Sequence, residues 1–301
     1  MKNSMTDEII ALKNKHKAII LAHNYQVPEV QDLGDFCGDS LELAIKAAET
    51  SAEVIVFCGV DFMAETAKLL SPDKKVLLPV RGATCPMSEM ITPPELLDFK
   101  KDYPGAAVVS YANTTADVKA ESDICCTSAN AVRIVNSLSE EEIIFTPDRN
   151  LARHVALQTS KKIIPWNGFC PIHEAITASD LKEAKKRYPG ALVMVHPECR
   201  PEVQDLGDFV VSTGQMFGVV EKSDSKGFIV GTESGIIYSL SKRFPTKEFF
   251  PIKESVVCPN MKKVRPENVL DSLRTLSPEI NIPEEVSRKA SRALRRMLEV
   301  G

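Results

Sequence analysis

The sequence lacks long apolar runs, an apolar signal core and basic stretches, and each absence excludes a class of protein. None of its apolar runs approaches the 18 residues that a membrane-spanning helix needs. The opening residues, MKNSMTDEIIALKNKHK, contain no apolar segment typical of a secretory signal. No basic run occurs before the last twenty residues, and the net charge is −4. We therefore expect a cytoplasmic protein with neither a membrane nor a nucleic-acid partner.

A nine-residue segment occurs twice in the chain without change. PEVQDLGDF fills both 28–36 and 201–209, and an identity of this length within one chain indicates an internal repeat. His23 and His196 lie five residues before the two copies and are 173 residues apart. Half of that offset predicts a third copy near the middle of the chain.

The middle copy is present in a more divergent form. YPGAAVVSYAN (103–113) aligns without a gap with YPGALVMVHPE (188–198), which places Tyr111 opposite His196 and Asn113 opposite Glu198. Of the 21 aligned positions in 86–106 and 171–191, 11 are identical. The length of 301 residues and a hydrophobic content of 44% also fit two or three domains. We predict repeats at 1–86, 87–171 and 172–260, followed by a C-terminal helical segment at 261–301.

Each repeat has the pattern of a small α/β layer. The apolar runs AIILA (18–22), AVVS (107–110) and LVMV (192–195) predict a first strand that leads into His23, Tyr111 or His196. A polar loop, a helix, a second strand and a further helix follow, and a last short strand is expected to lead into a Cys-Pro pair. We predict an α/β fold of three pseudo-equivalent α/β/α units with parallel sheets, arranged about a pseudo-threefold axis around a central cavity.

Three of the eight cysteines follow the repeat. Cys85, Cys170 and Cys258 each precede a proline, at spacings of 85 and 88 residues. The other five have no such equivalents, and we expect them to be small buried apolar residues. Soft sulfur ligands select zinc, copper(I) or an iron–sulfur cluster, and a cluster held by three cysteines would leave one iron open as a Lewis acid. Three core cysteines carried along by duplication are the structural alternative.

Polar residues follow the strands in the same repeat. A hydroxyl occurs 17 residues after each anchor position, and we expect these hydroxyls to open helices, where free N–H groups favour anions: Ser40, Ser128 and Thr213. An ordinary helix cap is the alternative for each of them. His23 and His196 offer positive charge or proton transfer, and acid/base capacity comes from Tyr25, Tyr111 and Glu198.

Several motifs together resemble one known family, the quinolinate synthases of NAD biosynthesis. The resemblance covers nearly the whole chain and is carried by HNYQ (23–26), GDS (38–40), CPM (85–87), SYANTTADVKAESDICCTSAN (110–130), PWNGFCPIH (165–173), HPEC (196–199), STGQM (212–216), GTES (231–234) and CPNMK (258–262). Some members of the family have a CxxC at the third cysteine, which this chain lacks.

The resemblance implies a transferase that condenses iminoaspartate with dihydroxyacetone phosphate, with loss of phosphate and two waters. It implies a [4Fe-4S] cluster on Cys85, Cys170 and Cys258, whose open iron helps an oxygen to leave as water. Implied acid/base residues are Tyr25, Glu198, His23 and His196. Implied substrate contacts are His23, Ser40, Tyr111, Asn113, Ser128, His196, Glu198 and Thr213.

Further partners and two other function classes stay open from the sequence. An enzyme that supplies the unstable iminoaspartate is one possible partner. A hydro-lyase of the aconitase type would also use a three-cysteine cluster, but it would need no phosphate site. A non-enzymatic iron–sulfur or zinc sensor would need no His, Tyr and Glu around an anion cavity.

Overall fold

The structure, a computed structural model, describes residues 2–300 and contains three four-stranded parallel sheets. Within each sheet the second strand of the unit lies at one edge, followed by the first, the third and the fourth. The three sheets have the same strand order, which confirms the predicted α/β fold with three similar parallel-sheet units. The domain boundaries given above stay a prediction.

The first unit alternates helices with short, apolar strands. Parallel strands covered by helices are buried on both faces, so their residues are apolar without alternation, as in VIVFC at 54–58. The elements of this unit are α1 (Lys2–Lys15), β1 (Ala18–His23), α2 (Pro28–Gln31), β2 (Phe36–Gly38), α3 (Ser40–Glu49), β3 (Val54–Cys58), α4 (Asp61–Leu70) and β4 (Lys75–Leu77).

The second unit repeats this order. Its linking helix begins with a capping box, in which Oε2 of Glu95 accepts the backbone N–H of Thr92 at 2.8 Å. The elements are α5 (Pro93–Lys100), β5 (Ala107–Tyr111), α6 (Ala116–Ala120), β6 (Ile124–Cys126), α7 (Ala131–Ser137), β7 (Glu142–Thr146), α8 (Arg149–Ala156) and β8 (Lys162–Pro165).

The third unit begins at the second Cys-Pro pair, and the chain then ends in helices. The elements of the unit are α9 (Pro171–Glu174), α10 (Ala178–Arg187), β9 (Leu192–Val195), α11 (Pro201–Gln204), β10 (Phe209–Val210), α12 (Thr213–Lys222), β11 (Gly227–Gly231), α13 (Ile236–Arg243) and β12 (Glu248–Pro251). A 3₁₀ turn (Met261–Lys263), α14 (Pro266–Thr275) and α15 (Glu284–Val300) follow.

Three local expectations differ from the structure. The polar loop after each first strand contains a short helix and a short edge strand, such as α2 and β2. The last strand of each unit ends at Leu77, Pro165 or Pro251, so loops rather than strands carry the Cys-Pro pairs. Ser128 lies in a turn three residues before α7, which begins at Ala131.

The C-terminal helices pack back onto the first two units. Helix α14 contacts α1 and β3 of the first unit, and α15 contacts α6 and β6 of the second unit as well as α4. Ala290, Leu294 and Met297 lie at helical spacing and form a buried stripe of α15. Within residues 2–300, no helix is long and apolar enough to cross a membrane.

Candidate active site

A cavity of about 210 Å³ lies where the three units meet. It is bordered by the carboxyl ends of the parallel strands, because β1 ends at His23, β5 ends at Tyr111 and His196 directly follows β9. Ligands of open parallel α/β sheets bind at such ends. Every residue predicted from the sequence for catalysis, substrate or metal lines this one cavity: His23, Tyr25, Ser40, Cys85, Tyr111, Asn113, Ser128, Cys170, His196, Glu198, Thr213 and Cys258.

The two anchor histidines are held in the same tautomer. The backbone N–H of Tyr25 donates to Nδ1 of His23 at 3.1 Å, and that of Glu198 donates to Nδ1 of His196 at 3.2 Å. Because Nδ1 is an acceptor in both rings, each histidine carries its proton on Nε2. Nε2 of His196 lies 3.2 Å from Oγ of Ser128.

Burial favours the neutral form of both anchor histidines, so of the two expected roles it disfavours positive charge and leaves proton transfer. Burial, together with the charge of Lys262, lowers the pKa of His23 to about 3. Burial likewise lowers the pKa of His196 to about 3. At neutral pH these rings therefore supply N–H donors to a ligand rather than cationic charge.

Glu198 accepts hydrogen bonds from two units. Oη of Tyr111 donates to its Oε1 at 2.6 Å, Nδ1 of His173 lies 2.7 Å from its Oε2, and Nδ2 of Asn113 lies 3.5 Å from Oε1. Burial alone would raise the pKa of Glu198, but the charge and hydrogen bond of His173 hold it well below its usual range. The carboxylate is therefore ionised, although it is only 3% exposed.

A chain of hydrogen bonds links Glu198 to Tyr25. Nε2 of His173 lies 2.8 Å from Oγ1 of Thr232, and the same Oγ1 is bonded to the hydroxyl of Tyr25. Burial, followed by the charge of Glu198, raises the pKa of Tyr25 well above its usual range, so this tyrosine keeps its proton. Sequence reasoning missed His173 and Thr232, although both lie within motifs quoted above, PWNGFCPIH and GTES.

The three hydroxyls do not cap helices. Asp39 caps α3 and Ser212 caps α12, so Ser40 and Thr213 are the first helical residues, and Asn130 occupies the cap position of α7. Asp39 also accepts the backbone N–H of Gly214 at 3.2 Å, and a Cβ atom on that glycine would lie 2.5 Å from the carboxylate.

Ser40 and Thr213 thus open helices as expected, whereas Ser128 precedes α7, so the three positions are not equivalent. Asp39 already accepts the N–H groups of Leu41 and Glu42 in α3 and of Gly214 in α12. What remains for a ligand is the set of side-chain donors in the cavity. Oδ1 of Asn113 is a buried acceptor without a hydrogen-bond partner in residues 2–300.

The three repeat cysteines are free thiols, and each comes from a different loop. Burial raises the pKa of Cys85 to about 12 and raises that of Cys258. Burial also raises the pKa of Cys170, with further contributions from the charges of Glu198 and Cys85. Sulfur ligands select soft metals, and three cysteines that line one cavity therefore fit a metal group with sulfur ligands.

A smaller group of donor atoms that could hold a metal ion overlaps this donor set. One ligand atom from each of Cys170, His173 and Glu198 lies within 4.8 Å of the other two.

The five other cysteines lie outside the cavity lining. Four are buried, namely Cys58, Cys125, Cys126 and Cys199, and Cys37 is half-buried.

A surface groove of about 1270 Å³ lies between the second and third units, next to the cavity. Ser128 lines both the groove and the cavity. The exposed basic side chains of Arg133 and Lys222 lie in the groove, and none of its lining residues within 2–300 is acidic. The groove is therefore electropositive in a chain of net charge −4.

Comparisons with known proteins point to one family. The sequence model of the family described as Quinolinate synthetase A protein matches residues 7–299. The quinolinate synthase of Methanoregula boonei is 56% identical over 294 residues, 98% of this chain and 97% of that protein. Those of Pyrococcus abyssi and Thermotoga maritima are each 50% identical over 298 residues, 98% of this chain and 99% of theirs.

Proposed function

We propose a function for the central cavity on one premise: the chain belongs to the quinolinate synthetase A family and is an enzyme of NAD biosynthesis. The reaction is the condensation of iminoaspartate with dihydroxyacetone phosphate to give quinolinate, phosphate and two waters. Family membership argues against a hydro-lyase of the aconitase type and against a sensor. A cytoplasmic location fits eight free cysteines, because the cytosol keeps thiols reduced.

Cys85, Cys170 and Cys258 hold a [4Fe-4S] cluster in this proposal. The observation that carries it is the placement of one free cysteine from each Cys-Pro loop in the same cavity as the polar groups. When bound by only three cysteines, such a cluster supplies Lewis acidity from its open iron for the loss of a hydroxyl as water.

The cavity holds the anionic substrates with neutral donors. Nε2–H of His23 and of His196 and the hydroxyls of Ser40, Ser128 and Thr213 donate to carboxylate or phosphate oxygens. The two histidine donors are fixed before a ligand arrives, since each ring is held through Nδ1. Fixed donors place the two substrates in reacting geometry without having to reorganise.

Protons move along the chain from Glu198 to Tyr25. The ionised carboxylate of Glu198 removes a proton from substrate carbon, and His173 and Thr232 connect it to the hydroxyl of Tyr25. Tyr25 keeps its proton at neutral pH and donates it to an oxygen that leaves.

Iminoaspartate hydrolyses readily in water, so an enzyme that supplies it nearby is a proposed partner.

Iron and sulfide analysis after anaerobic purification tests the cofactor. We expect about four irons and about four sulfides per chain. A single metal ion without sulfide would favour the site of Cys170, His173 and Glu198 instead, and it would overturn the cluster. Turnover with both substrates, measured on the same preparation, tests the reaction.

A further inference from the structure

Two buried carboxylates outside the hydrogen-bond chain described above contact the cysteine loops. Oε1 of Glu233 accepts the backbone N–H of Cys258 at 3.0 Å, and Oδ2 of Asp148 accepts that of Cys170 at 3.2 Å. The exposed fractions of Glu233 and Asp148 are 1% and 0%. Burying a carboxylate is costly unless it is well bonded, so these two contacts need an explanation.

The two carboxylates occupy the same place in the repeat. The residue after each donates its backbone N–H to the carbonyl oxygen two residues before the cysteine, from Arg149 to Gly168 and from Ser234 to Val256, both at 2.9 Å. In the first unit Asp61 donates to the carbonyl of Ala83 in the same way, at 2.9 Å.

The first unit therefore carries valine at the equivalent place. Val60, which precedes Asp61, has no side-chain acceptor for the N–H of Cys85. Its cysteine loop is closed locally instead, because the hydroxyl of Ser88 donates to the carbonyl oxygen of Cys85 at 2.7 Å.

Each carboxylate is also fixed on its other side. The second oxygen of Asp148 accepts the N–H of Leu151 at 2.7 Å and caps α8. Glu233 pairs with Lys262 at 2.8 Å and accepts the N–H of Gly235 at 2.8 Å. A Cβ atom at Gly235 would lie 2.6 Å from Nζ of Lys262, so this packing leaves no room for a side chain.

We propose that Asp148 and Glu233 are positioning residues that fix the Cys170 and Cys258 loops for metal binding, each acting on its own unit. The role in metal binding rests on the proposed cluster site. The hydrogen bonds to the two cysteine loops do not depend on it. A ligand loop that is already held loses less freedom when it binds metal, and partners behind metal ligands typically change affinity 10- to 100-fold.

Alkylation of the metal-free protein tests the contacts without a cluster. The variants are Glu233→Val and Asp148→Val, which copy the residue that the first unit carries. We expect Glu233→Val to raise the alkylation rate of Cys258 about tenfold, and Asp148→Val to do the same for Cys170, each read out by mass spectrometry of the cysteine peptides. Asp61→Asn, beside Val60, is the control and should leave the rate at Cys85 unchanged.

Conservative variants keep the test decisive. Glu233→Gln and Asp148→Asn remove the negative charge that disfavours the neighbouring thiolate but retain one acceptor oxygen, so each valine variant should react faster than the amide variant at the same position. An equal rise in the alkylation rate at all three cysteines would mean that the whole structure has loosened. No rise would mean that the contact does not hold the loop. Either result overturns the proposal.

The holoenzyme provides the second measurement. Iron release to a chelator should be about tenfold faster in the valine variants and unchanged in Asp61→Asn. If the wild-type protein holds no iron and sulfide, the proposed cofactor fails while the alkylation pattern still decides the contacts. If the cluster is present and the pattern is absent, only the positioning role fails.

Discussion

Histidine 173 shows what a repeat reveals and what it hides at the level of one side chain. The residues that recur in each unit could be predicted to converge, because equivalent positions of similar units face the same cavity. His173 has no such equivalent, since the residues three after the other two cysteines are Ser88 and Met261. Its place between Glu198 and Thr232 depends on packing between loops, which spacing alone does not report.

Replacement of a single repeat cysteine tests the metal ligands. In Cys170→Ser a hard hydroxyl replaces a soft thiolate, so we expect loss of the visible cluster absorbance and of turnover. Cys37→Ser, which lies outside the cavity lining, is the matched control and should change stability at most. A full cluster in the Cys170→Ser protein would contradict the assignment.

Glu198→Gln tests the proposed base. The amide keeps the size of the side chain and an acceptor for Tyr111 but cannot remove a proton. We expect the variant to retain the cluster and bind substrates while turnover falls about 10²-fold or more. Thermal melting on the same preparation separates this from a structural role, in which the pair with His173 only stabilises the fold. A lower melting temperature with a near-normal rate would reject catalysis.

The helix starts show the limits of prediction for elements of a few residues. GDS (38–40) and STG (212–214) each offer adjacent cap candidates, and helix boundaries read from sequence are uncertain by one or two residues. Strands of two or three residues, such as β10, are too short to show a period. The longer first and third strands were predictable because buried parallel strands form continuous apolar runs.

Ser212 and Thr213 are adjacent at the start of α12, and replacing each in turn tests helix capping and substrate binding separately. Thr213→Ala, like Ser128→Ala, should weaken substrate binding by about 1.5–3 kcal/mol, because each removes a donor to a charged group. Ser212→Ala is the matched control, since it removes the cap and should lower stability by about 1 kcal/mol. Substrate titration and melting of the three variants provide both readouts. Unchanged binding in Thr213→Ala and Ser128→Ala would leave those hydroxyls without a ligand role.

In the molecule as a whole, the buried histidines make stability fall in acid. His23 and His196 have a pKa of about 3 when folded but an ordinary value near 6.5 when unfolded, so the unfolded chain binds more protons between these limits. Their contribution is present above about pH 6.5 and is lost as the pH falls towards 3, by up to about 1.4 kcal/mol per pH unit for each.

Urea unfolding at pH 7 and pH 5 measures this effect. His23→Gln and His196→Gln should each lose less stability over that interval than the wild-type chain. The comparison with wild type removes the opposite contribution of Asp61, whose pKa burial raises to about 6. Identical acid sensitivity in the wild type and both variants would show that the rings are protonated when folded.

The electropositive groove predicts a dependence on ionic strength. Both proposed substrates are anions, and basic side chains along an entry path speed association at low salt. Arg133→Glu and Lys222→Glu should lower kcat/KM at low salt and flatten its salt dependence, with little change in kcat. Lys101→Glu, an exposed change outside the groove, should leave kcat/KM close to that of the wild type. An equal effect of all three would mean that only net charge matters.

The docking of α15 has a consequence for synthesis on the ribosome. The helix that packs on the second unit follows the whole third unit in sequence, so its contacts with α6 and α4 cannot form until residues 284–300 have been synthesised. Domains generally fold as they emerge, at about 5–20 residues per second. The first two units therefore gain the cover of α15 only after the third unit has been synthesised.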